Sequence, residues 1–208
     1  MKDKLNARSI AILGLMTALL MVFSFTPIGT IPIGPLSITL NTIPVAIAAI
    51  ALGPMGGLIA GSVFGFLSFL QCFGIGVPSG MGAILLSIQP FFAFVQRFVP
   101  RALDGFLVGL IFRFLDDKIG SSRASFVAGF CTAFLNTLLF MSALVLLFGH
   151  TEYVQNLIGG RNILLFVCAF VGVNAVVEMI SSTLIAGLLG TALFRAKVLP
   201  VKTDERRD

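Results

Sequence analysis

From Ser9 to Gln96 the chain runs for 88 residues without one Asp, Glu, Lys, Arg or His. A water-soluble domain draws about a quarter of its residues from the charged types, which cover its surface. This chain of 208 residues has 11% charged and 57% hydrophobic residues. A charge-free stretch of that length needs a solvent other than water, and the hydrocarbon of a bilayer is one. In that solvent every backbone amide must be paired within the protein, so the expectation is a bundle of membrane-spanning helices.

Apolar runs of suitable length lie at 9–25, 38–52, 54–73, 91–115, 124–148 and 162–194. The expected fold is therefore an all-α membrane protein, a six-transmembrane-helix bundle forming a single domain over residues 1–208. Lys2, Lys4 and Arg8 precede the first run as they would in a signal peptide. That run continues past Phe25 with no small-residue cleavage pattern, so a retained first helix is expected. Gly53-Pro54 leaves room only for a tight connection between the second and third spans. The sixth run is longer than a bilayer requires, so tilt or projection beyond the membrane is expected.

Residues 26–37 contain Pro27, Pro32, Pro35, Gly29 and Gly34, which exclude a regular helix. The same segment is uncharged and carries Ile28, Ile31, Ile33 and Leu36, so it is expected to fold back over the bundle as a lid. Residues 74–90 are similarly punctuated, with a short interfacial helix expected over 81–90, ending before Pro90. With six spans, one side of the membrane receives Lys2, Lys4, Arg8, Arg113, Lys118, Arg123, Arg195, Lys197, Lys202, Arg206 and Arg207, eleven of the 14 Lys and Arg residues. The other side has Arg97, Arg101 and Arg161. The positive-inside bias then places both termini in the cytoplasm, and a seventh span over 80–96 would break it. The same bias accounts for the net charge of +5 without nucleic acid.

Small residues recur four apart at Gly57, Gly61 and Gly65, at Gly105 and Gly109, at Gly14 and Ala18, and at Ala7 and Ala11. Such spacing lets backbones approach closely, either inside the bundle or at a docking surface for another protein. Cys72, Cys131 and Cys168 stand singly in apolar surroundings and match neither a metal site nor a disulfide framework.

Polar side chains inside the spans are costly unless they meet a partner, water or a ligand. They are Asn41, Gln71, Gln96, Arg97, Arg101, Asp104, Asn136, Asn174 and Glu178. Asn174 and Glu178 share a helical face, as do Arg97 and Arg101. The guanidinium pair suits a carboxylate or phosphate; the competing readings are an internal pair between Arg101 and Asp104, and snorkelling of Arg97. His150 is the only histidine and has no visible partner set. No Ser/His, His/Asp or metal-ligand cluster and no phosphate loop is present, so neither catalysis, a metal nor a cofactor is expected of this chain.

The stretch Ile-Pro-Ile-Gly-Pro-Leu-Ser-Ile-Thr-Leu-Asn-Thr-Ile-Pro-Val at 31–45 is the most specific in the chain. It is followed by Ala-Leu-Gly-Pro-Met-Gly-Gly at 51–57, Gly-Ser-Val-Phe-Gly-Phe-Leu-Ser at 61–68, Pro100-Arg101, Asn136-Thr137 and Val-Asn-Ala-Val-Val-Glu at 173–178. In these residues the chain resembles the substrate-binding S component of energy-coupling factor (ECF) vitamin transporters, with a pattern similar to the pantothenate branch. The resemblance implies a six-helix bundle in a prokaryotic cell membrane, and an outward-opening vitamin site built from the first outer loop and spans four to six. It also implies that Ala11, Gly14 and Ala18 dock on a membrane-embedded T subunit, while two separate ATPase subunits hydrolyse ATP. The substrate-binding set is then Asn41, Gln71, Gln96, Arg97, Arg101, Asn136, Asn174 and Glu178. Asn41 departs from the histidine common at that position in the branch, so folate, riboflavin or pyridoxine-like vitamins and precursors stay open beside pantothenate. A stand-alone ion-coupled carrier, with Glu178 or Asp104 coupling protons, is the reading from a different class.

Overall fold

The structure is a computed structural model and describes residues 7–33, 36–159, 163–196 and 198–199. Lys2, Lys4, Arg161, Lys197, Lys202, Arg206 and Arg207 of the charge pattern lie outside the described residues.

Helix α1, Ala7–Phe25, has 19 residues, about 28 Å at 1.5 Å per residue, which matches the hydrocarbon thickness. Its buried residues form one stripe, Met16, Leu20 and Ser24, with Ile12 and Leu19 packed beside it. Strands β1, Thr30–Ile33, and β2, Leu36–Thr39, then pair antiparallel, with Thr30 opposite Thr39 and Ile31 opposite Ile38. The proline-rich segment expected as a lid therefore forms strands, and the protein is not purely helical. The second span, expected from residue 38, begins at Thr42, because residues 38 and 39 belong to β2.

Helix α2, Thr42–Leu70, is interrupted at Gly53, where φ is 70° and ψ is −159°, a conformation essentially reserved for glycine. In a continuous helix residues eight apart are separated by about 12 Å along the axis. Here a Cβ on Gly57 would lie 3.0 Å from that of Ala49, and one on Gly56 would lie 2.8 Å from the carbonyl oxygen of Ala48. The chain thus doubles back at Gly53, as the tight connection read from Gly53-Pro54 requires. Pro54, with its fixed φ and no N–H to leave unpaired, opens the second arm. After a 3-10 turn at Gln71–Phe73 come α3, Gly80–Ile88; α4, Pro90–Ile119; α5, Ser121–Phe148; α6, Glu152–Ile158; and α7, Ile163–Arg195. The short helix expected over 81–90 is α3; it ends at Gln89, whose extended backbone precedes Pro90.

The second arm of α2 packs antiparallel on α4 through glycine. A Cβ on Gly57 would collide with the carbonyl of Gly105, and one on Gly61 with the carbonyl of Arg101. One on Gly65 would lie 2.9 Å from Cα of Phe98, and one on Gly109 2.5 Å from Cα of Pro54. The four-residue spacing is therefore internal packing in α2 and α4. Gly129 of α5 meets α7 in the same way, against the carbonyl of Ser182.

One end of the bundle gathers Ala49, Ile50, Val108, Phe112, Ala124 and Phe194, with Arg113, Lys118, Arg123 and Arg195 in the adjoining turns. The polar residues Gln71, Arg97 and Glu178 collect toward the other. Large apolar side chains such as Leu15, Met55, Phe66, Phe114, Leu146 and Leu188 are exposed on the flanks, as lipid contact requires. Among the described residues, four helical segments are long and apolar enough to cross a membrane by length and composition: Ala7–Phe25, Thr42–Phe73, Ser121–Phe148 and Asn174–Arg195. The third of them is α5, and α4 falls outside this set while carrying Arg97, Arg101 and Asp104 in its interior.

Nothing lies within 4 Å of a Cβ added to Gly14. Gly14→Ala should accordingly leave the melting temperature in detergent unchanged or raise it. Gly57→Ala should lower it, by about 1–3 kcal/mol of stability from overpacking. Equal melting temperatures for the two variants would deny the α2–α4 contact its role.

Candidate functional site

A cleft opens at the end of the bundle opposite the basic turns, with about 740 Å³ of empty space when counted out to its open mouth. Arg97 and Arg101 of α4 form one wall; Asn136, Thr137, Phe140 and Met141 of α5 and Asn174 and Glu178 of α7 form another. Phe64, Ser68 and Gln71 contribute from α2, Thr30 and Thr39 from the strands, and Val77, Ser79 and Met81 from the start of α3.

The two guanidiniums lie four residues apart on α4 and are held by different means. Arg97 Nη2 donates to Ser79 Oγ at 2.9 Å, and Nη1 donates to Ser68 Oγ at 3.4 Å. Arg101 Nη1 donates to the carbonyls of Gln96 and Arg97, both at 3.2 Å. The ring of Phe140 lies beneath both, its centroid 5.3 Å from Cζ of Arg97 and 4.3 Å from that of Arg101, and Phe64 approaches Arg101 at 5.4 Å. These contacts fix the planes of the guanidiniums and supply some electrostatic attraction. Each Nε is buried without a hydrogen-bond partner. Among the described residues no hydrogen bond joins either guanidinium to a carboxylate. The internal pair of Arg101 with Asp104 is not formed by a hydrogen bond, and Asp104 Oδ1 is itself unpartnered.

Across the cleft Glu178 Oε1 accepts from the backbone N–H of Thr39 at 2.7 Å. This is the bond by which α7 holds the end of β2 over the site. Asn136 Oδ1 is buried and unpartnered. On the α2 side Gln71 Nε2 donates to the carbonyl of Ser24 at 3.1 Å.

Of the eight substrate-binding residues expected from sequence, Gln71, Arg97, Arg101, Asn136, Asn174 and Glu178 stand on the wall. Asn41 and Gln96 are not brought there. Asn41 sits behind β2, its Nδ2 donating to Thr39 Oγ1 at 3.0 Å and its Oδ1 accepting from Ser24 Oγ at 3.5 Å. Gln96 is turned about 100° around α4 from Arg97, and both its side-chain polar atoms are buried without partners. Ala11, Gly14 and Ala18 are exposed on α1, away from the Met16–Leu20–Ser24 stripe. Sequence reading missed Thr39, Ser79 and Phe140. Ser79 carried a signal: a serine before an apolar run is the usual helix N-cap. The backbone N–H of Thr39 and the apolar ring of Phe140 carried none.

Residues 8–190 match the family described as the substrate-specific component of ECF transporters. Two relatives are similar along most of their length. The pantothenic acid transporter PanT of Lactococcus lactis subsp. cremoris is 28% identical over 206 residues, covering 93% of this chain and 97% of that protein. The pantothenate transporter PanT of Leuconostoc mesenteroides subsp. mesenteroides is 28% identical over 185 residues, covering 86% and 85%.

Replacing Glu178 with Ala removes the acceptor for Thr39 N–H. Hydrogen exchange at Thr39 is expected to speed up by tenfold or more, the loss of one hydrogen bond to a charged acceptor being about 1.5–3 kcal/mol. Unaltered exchange there would mean that α7 does not hold the strands.

Proposed function

We propose, from the premise that this chain belongs to the substrate-specific components of ECF transporters, that it captures pantothenate on the outer face of a prokaryotic cell membrane and delivers it to an ATP-driven importer. The observation that carries the substrate is the pair of buried guanidiniums with free N–H groups and no carboxylate bonded to them. Burying a cation costs several kcal/mol unless an anion and hydrogen bonds accompany it. A ligand carboxylate supplies both, bidentate on a planar fork. Pantothenate carries a carboxylate at one end, an amide in the middle and hydroxyls at the other. Asn136, Asn174, Glu178 and Thr39 face Arg97 and Arg101 across the cleft, and they suit the amide and hydroxyls. The names of the two relatives agree with this choice.

The chain crosses the membrane six times in this reading, the first arm of α2 together with the strands before it counting as one crossing and the second arm as another, because the backbone reverses at Gly53. The turns bearing Arg113, Lys118, Arg123 and Arg195 face the cytoplasm by the positive-inside bias, both termini lie there, and the cleft faces outward. Ala11, Gly14 and Ala18 offer a small-residue face on α1 for the T subunit, where backbones approach closely in lipid. Two ATPase subunits supply the energy, since this chain has no phosphate loop. Asn41 and Gln96 act behind the wall rather than on the ligand.

Purified protein should show a thermal shift and a calorimetric binding isotherm with pantothenate, and none with folate, riboflavin or pyridoxine. Arg101→Ala and Glu178→Gln should each weaken binding by about 10- to 100-fold, the value of one or two charge-assisted hydrogen bonds, while the protein stays folded. Gly14→Leu or Ala18→Leu should abolish uptake in cells that co-express the T and ATPase subunits and leave binding intact. No response to any vitamin in the panel, together with no uptake, would end this reading.

A further inference from the structure

The junction of Ser79, Gly82 and Arg97 has no part in the function argued so far beyond holding a guanidinium. Ser79 is the N-cap of α3, and its Oγ accepts from the backbone N–H of Gly82 at 3.2 Å. The same oxygen accepts from Arg97 Nη2 at 2.9 Å. A hydroxyl oxygen has two acceptor sites and one proton. Both acceptor sites of Ser79 are therefore taken, and its proton must be donated to something else. No described residue accepts it, and Ser79 stands on the cleft wall. The charge balance points the same way. The positive pole of α3 and the guanidinium of Arg97, which is 6% exposed with Nε unpartnered, converge on Ser79 Oγ, and no carboxylate among the described residues is bonded to either Arg97 or Ser79. Gly82 makes the convergence possible: a Cβ there would lie 2.8 Å from Arg97 Nη2 and 2.7 Å from Cys72 Sγ.

We infer that Ser79 is the residue that makes the site selective for an anion, donating its hydroxyl proton to the ligand's carboxylate while orienting Arg97 toward the same group. The assignment rests on the pantothenate reading. It puts the carboxylate at the α3 end of the cleft and the hydroxyl end of the ligand toward Glu178 and Thr39.

The test compares affinity for pantothenate with affinity for its neutral alcohol, in which the carboxylate is replaced by a hydroxymethyl group. Wild type should prefer the acid. Ser79→Ala should lose on the order of tenfold for the acid, one charge-assisted hydrogen bond, and less than about twofold for the alcohol. Ser79→Thr, which keeps the hydroxyl, should retain the preference. Gly82→Ala crowds both the Arg97 guanidinium and Ser79 Oγ, which would lie 2.8 and 3.0 Å from the added Cβ, so it should lose the preference as Ser79→Ala does. A merely structural role for Ser79 would weaken both ligands alike, and an unchanged acid-to-alcohol ratio in Ser79→Ala would overturn the assignment alone. Wild type that binds neither compound would overturn the pantothenate reading and this assignment with it.

Discussion

Between the second arm of α2 and α4 two backbones touch, and the cleft hangs from that contact. Ordinary helix pairs stand 8–10 Å apart with side chains between them. Here Gly57, Gly61 and Gly65 remove the side chains from one surface, and the carbonyls of Gly105, Arg101 and Arg97 sit against the bare backbone. In lipid there is no gain from hiding apolar surface, so close packing of this kind supplies the association energy. The two residues that carry positive charge into the site are thus the ones whose main chain is pressed on the glycines. Their direction is fixed before any side-chain contact is made.

The cost of the site is offset locally. Two cations are buried in a protein surrounded by hydrocarbon, and each is spread over an aromatic face and two oxygen acceptors. Phe140 serves both guanidiniums, which makes it the shared support of the cationic wall. The opposite wall carries Glu178, anchored to Thr39, and Asn136, whose Oδ1 has acceptor capacity to spare.

Much of this was legible in the residues. Four spans followed from apolar length while α4, with its buried charges, falls outside that criterion; the turn at Gly53 followed from Gly-Pro, and the four-residue glycine spacing from its period. The strands were not, because Pro27, Pro32 and Pro35 argued only against helix and said nothing of what replaces it. The first arm of α2 is buried from Thr42 through Ile50, so its apolar residues show no preferred face, and the orientation of nearby Asn41 could not be read from periodicity. Gln96 was different: adjacent positions on a helix point about 100° apart, so its exclusion from the face shared by Arg97 and Arg101 was available from numbering alone. Contacts made by main-chain groups, such as that of Thr39 with Glu178, leave no mark on composition.

The arm of α2 that leads into Gly53 covers residues 42–52, which at 1.5 Å per residue rise only about 16 Å, roughly half the apolar thickness of a bilayer. Its far end is where Thr39 and the β2 backbone sit, so in the proposed topology, with Gly53 at the cytoplasmic face, irregular main chain lies at mid-depth, tolerated because it borders a polar cleft rather than lipid. In that topology a solute resting on Thr39 would have descended through half of the barrier before any helix shifts, and the remaining journey would be no longer than that one short arm.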